Sequence, residues 1–60
     1  MESSTISEST INGTQVSFFC VSGTPAGDIY IVMSQGETKY FGDQAEAKAL
    51  YVKKAKSLLL

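Results

Sequence analysis

Residues 29–46 read IYIVMSQGETKYFGDQAE, and the fold turns on them. Ile29 to Met33 is a run of β-branched and large apolar side chains, the composition of a strand. Gln35-Gly36 marks a tight turn, and Glu37 to Phe41 returns as a second strand. In that register Ser34 faces Glu37, Val32 faces Lys39 and Tyr30 faces Phe41. One face then holds Ile29, Ile31, Met33 and Tyr40, and the other holds Tyr30, Val32, Lys39 and Phe41. Both faces are apolar, so alternation alone does not name the core side. Gly42-Asp43 opens a helix, with Asp43 as cap and Glu46 three residues on.

Downstream, four Ala and four Lys with no Gly or Pro favour the helix. Ala47, Tyr51, Ala55 and Leu58 align on one stripe, flanked by Val52 and Leu59, with Leu50 outside it. That stripe suits packing on a sheet. Lys53, Lys56 and Glu46 fall on the opposite side. The basic-amphipathic end of this helix also suits an anionic membrane surface, but the sheet needs the same stripe as its cover.

Upstream, Asn12-Gly13 is the strongest turn signal, because a type I′ turn needs positive φ at both central residues. It predicts a hairpin in which Ile11 faces Thr14, Ser9 faces Val16 and Ile6 faces Phe19. The same residues with Thr14 spell a glycosylation sequon, which the turn already explains. Val16, Phe18, Phe19, Cys20 and Val21 make the second strand apolar on both faces. Residues 23–28 read as a loop between hairpins, and residues 1–10 as either a soft arm or the outer part of a first strand, with 1–4 its flexible start. The fold expected is therefore α+β: one small domain, a four-stranded antiparallel sheet of two β-hairpins, and one C-terminal helix packed on one face.

The inventory excludes several chemistries. The 60 residues contain no His, no Arg and a single Cys, so a tetrahedral zinc site and a histidine-dependent nucleophile lack their parts. No metal site, cofactor or catalytic residue is expected, and no run approaches a membrane span. Met1 to Ser4 lack a basic, then apolar, leader pattern, which together with the lone cysteine reads as cytoplasmic. Cys20 sits among Phe18, Phe19 and Val21 and reads as core, with a disulfide across a dimer as the alternative.

Charge is uneven. Residues 1–38 carry Glu2, Glu8, Asp28 and Glu37 and no base, a net −4, whereas residues 39–60 carry five Lys against Asp43 and Glu46, a net +3. The strands hold more apolar residues than one helix can cover, and an uncovered apolar face marks an interaction surface. The expected function is a non-enzymatic protein-interaction module, a regulator or inhibitor docking on a macromolecular partner. Tyr30, Val32 and Phe41 would form the patch, and Glu8, Asp28 and Glu37 would steer it towards a basic surface. A self-associating version uses the second strand as an edge, giving a homodimer. The alternative is nucleic-acid binding through Lys39, Lys48, Lys53, Lys54 and Lys56 with exposed aromatics, against which stand the absence of Arg and the acidic first half.

Overall fold

Two turns with left-handed backbone set the strand register. Asn12 and Gly13 have φ of 51° and 80°, and Gln35 and Gly36 have φ of 53° and 78°. Positive φ at both central residues matches the right-handed twist of the flanking strands. In the computed structural model, which describes residues 2–59, these turns join β1 (Glu2–Ile11) to β2 (Thr14–Thr24) and β3 (Gly27–Ser34) to β4 (Glu37–Phe41). The helix α1 (Gln44–Leu58) follows. The strands form one antiparallel meander in the order β1-β2-β3-β4 with the helix against it, an α+β fold.

The second hairpin keeps the expected register: Ser34 opposite Glu37, Val32 opposite Lys39, Tyr30 opposite Phe41. The first does so only near its turn. Ile11 pairs with Thr14 and Ser9 with Val16, but a bulge between Thr5 and Ser7 places Thr5, not Ile6, opposite Phe19. The extra residue carries Ile6 to a crevice beside the helix, where it joins Phe18, Lys48 and Tyr51. The expected loop at 23–28 is mostly strand. β2 runs to Thr24 and β3 restarts at Gly27, with an irregularity between the Val21–Ile29 and Thr24–Gly27 pairs absorbing the odd residue. Likewise β1 begins at Glu2, and Ser3 and Ser4 pair with Val21 and Cys20.

Asp43 caps the helix by accepting a hydrogen bond from the Ala45 backbone N–H at 3.1 Å. The helix lies with Ala47 fully buried against Phe18 and Val32, and Tyr30, Phe41, Leu50 and Tyr51 pack around them. The Phe18 and Tyr51 rings sit 5.7 Å apart, tilted. The inward stripe is therefore Ala47, Leu50, Tyr51, Lys54, Ala55 and Leu58. Leu50, placed outside the stripe by the sequence reading, belongs to it, and Val52 and Leu59 are exposed. Rotation towards Lys54 explains the difference, because its ammonium then reaches the Glu37 carboxylate at 2.9 Å.

Polar contacts fix the rest of the helix. The Tyr51 hydroxyl lies between two serines of β1: Ser7 donates to it at 3.0 Å, and Ser9 lies at 2.8 Å. Asn12 Nδ2 donates to the Leu58 carbonyl, tying the first turn to the helix end. The helix thus starts level with the Tyr30–Phe41 pair and ends beside Asn12. The far ends of β1, β2 and β3 project past it.

Gln35 takes a backbone conformation that favours Asn or Gly. Gln35→Asn is expected to stabilise the fold by about 0.5 kcal/mol, raising the melting temperature by about 2–4 °C in a thermal scan followed by circular dichroism. Lys54 hydrogen-bonds Glu37 and, with Lys39, holds its carboxyl below the ordinary value of 4.5. A carboxyl lowered in the folded state contributes stability above its unfolded pKa and loses it as pH falls through the folded one. In urea unfolding, the advantage of the wild type over Glu37→Gln is therefore expected at neutral pH, to shrink from about pH 5 downward, and to shrink with added salt.

Candidate functional site

Residues paired across an antiparallel sheet point to the same side, so the register assigns both faces. The helix side holds Val16, Phe18, Cys20, Tyr30, Val32, Ser34 and Phe41, with Ser7 and Ser9 from β1. The other side carries a row Thr5–Phe19–Ile31–Tyr40, flanked by Ser3–Val21–Ile29 and by Glu8–Ser17–Met33–Thr38. No element among the described residues covers this second side. Tyr40 is 69 % exposed and Met33 42 %. Ile31, with Phe19 and Tyr40 as its neighbours in the row, is 8 % exposed without any helix above it. At the turn end a hollow of about 230 Å³ lies among Gln15, Ser17, Met33 and Thr38.

This reverses the face expected to be the patch. Val32 is 2 % exposed and belongs to the core, with Tyr30 and Phe41 packed against it under the helix. The apolar surface that stays open is the Phe19, Ile31, Met33 and Tyr40 side. The helix side of the sheet carries Ser7, Ser9, Cys20 and Ser34 beside its large residues. On β4 that side also bears Glu37 and Lys39, and Glu37 offers Lys54 its counter-charge.

The acidic trio does not converge. Glu8 lies on the open side at the β1 edge, and Gln15 Nε2 donates a hydrogen bond to its carboxylate. Glu37 is engaged by Lys54. Asp28 lies near Tyr30. Burial, then the neighbouring Cys20 thiol and the Asp28 charge, raise the Tyr30 phenol above its ordinary value. Cys20 is a half-buried free thiol rather than a full core residue.

The lysines are also divided. Lys54 is held by Glu37, and Lys39 stands on the β4 edge strand. Lys48, Lys53 and Lys56 flank Ala45, Ala49 and Val52 on the outer face of the helix. The most exposed aromatic, Tyr40, is on the far side of the sheet, so cations and stacking faces do not share a surface. β2, expected as an associating edge, is interior, paired on both sides. The edges are β1 and β4. Among the described residues no three His, Cys, Asp or Glu side chains converge on a metal-sized site, and no helix is long and apolar enough to cross a membrane.

Comparison with protein-family models, with curated proteins and with solved structures finds no match for this chain.

Proposed function

We propose that this chain is a non-enzymatic interaction module that docks on a macromolecular partner, as a regulator or inhibitor, through the open face of its sheet. The observation that carries the reading is an apolar layer, Phe19, Ile31, Met33 and Tyr40 with Val21 and Ile29, that no element among the described residues covers. Each 100 Å² of such surface withdrawn from water contributes about 2.5 kcal/mol. Large aromatic and Met side chains are the types enriched at interface centres. The acidic residues have a smaller part than the sequence suggested, since only Glu8 borders the face.

The test is affinity capture from the native host with tagged wild type and a Met33→Lys/Tyr40→Lys double variant, followed by mass spectrometry. Both residues are already exposed, so the variant should keep its fold, checked by circular dichroism. A partner retained by the wild type and lost by the variant is the expected result. Identical recovery from both baits would refute the reading.

A second reading rests on the strip of Lys48, Lys53 and Lys56 along the outer helix. Three phosphate contacts predict nucleic-acid affinity that falls with a log–log salt slope of about −2 to −3. The absence of binding at low salt in a fluorescence anisotropy titration would remove it.

A further inference from the structure

Resting on the docking reading above, we propose that the occupant of the open face is a second copy of this chain, packed sheet against sheet as a two-layer sandwich.

The edges are blunted against self-pairing. β1 is interrupted by its bulge at Ile6, which disrupts a regular ladder, and β4 is only five residues long and carries Glu37 and Lys39. The face has no such protection. Its centre is Phe19, Ile31 and Met33, its β1 margin is Ser3, Thr5 and Glu8, and among the described residues Glu8 is the only charge in its paired rows. The Glu8 carboxylate is already bonded by Gln15. The outer helix lysines lie on the opposite side of the sheet.

A strongly basic partner would meet one carboxylate on this face. A second copy would meet an apolar centre with an apolar centre, and no like charges would oppose one another there. A two-fold axis along the strands lays each β1 over the other copy's β4 and keeps the two Glu8 carboxylates a sheet's width apart.

The dimensions also fit. The molecule measures 38 × 17 × 17 Å, so the rectangle bounding its long face is roughly 650 Å² per copy, at the lower end of the ~600–1,000 Å² that each partner of a stable interface buries. Two such sheets would stack about 10 Å apart with their strands nearly aligned.

Sedimentation equilibrium of the purified full chain, from about 5 µM to about 1 mM, tests this. The wild-type mass is expected to rise from 6.4 kDa towards twice that value. Met33→Lys and Tyr40→Lys should each raise the dimer dissociation constant roughly tenfold or more, because each places a charge in an apolar contact. Val52→Lys, at a 37 % exposed position on the outer helix, should leave it unchanged.

A wild type that stays at 6.4 kDa across the range overturns the proposal. So does a dimer that Val52→Lys weakens while Tyr40→Lys does not. A monomeric wild type whose captured partner still depends on Met33 and Tyr40 overturns self-association and leaves the docking reading standing. A monomer with no such dependence removes both.

Discussion

The close approach of Ala47 to Phe18 and Val32 is the contact on which this fold depends. A methyl side chain lets the helix axis come down onto the sheet, and Phe18, Val32 and Ala47 are the buried residues of that contact. In a chain of this size the core is too small to lose one of its members. The fifteen helical residues extend about 22 Å, whereas the eleven of β2 extend about 36 Å. One helix therefore shields part of one face and none of the other. The exposed side of the molecule follows from that mismatch in size and not from any special motif.

Around the small core, polar contacts hold the helix where apolar area is scarce. Tyr51 meets Ser7 and Ser9 on one edge strand, Lys54 meets Glu37 on the other, and Asn12 meets the helix end. Together they span the width of the sheet and fix the rotation of the helix. That rotation turns Leu50 inward and leaves Val52 outside with the three lysines.

Much of the architecture was legible in the sequence because local chemistry dictated it. Asn12-Gly13 and Gln35-Gly36 set both hairpins, and Asp43 set the start of the helix. The bulge at Ile6 was not legible: nothing in the local sequence demands an extra residue there, and its effect appears only where Ile6 meets the helix. Composition misled at Gly23 to Asp28, where three of the four turn-forming residues, Gly23, Gly27 and Asp28, lie on strand ends and Pro25 alone sits in the short turn between them. The candidate site was half legible. Alternation separated Ile31, Met33 and Tyr40 from Val32 and Phe41, but two apolar faces left the choice between them to the helix, a tertiary matter.

Which face the helix covers is thus the claim on which the docking surface stands. Nuclear Overhauser contacts from the Ala47 methyl group test it most directly. Cross-peaks are expected from Ala47 to the Phe18 ring and the Val32 methyls, at any concentration and in monomer or dimer alike. Cross-peaks from Ala47 to Phe19 or Ile31 would place the helix on the other side and contradict it.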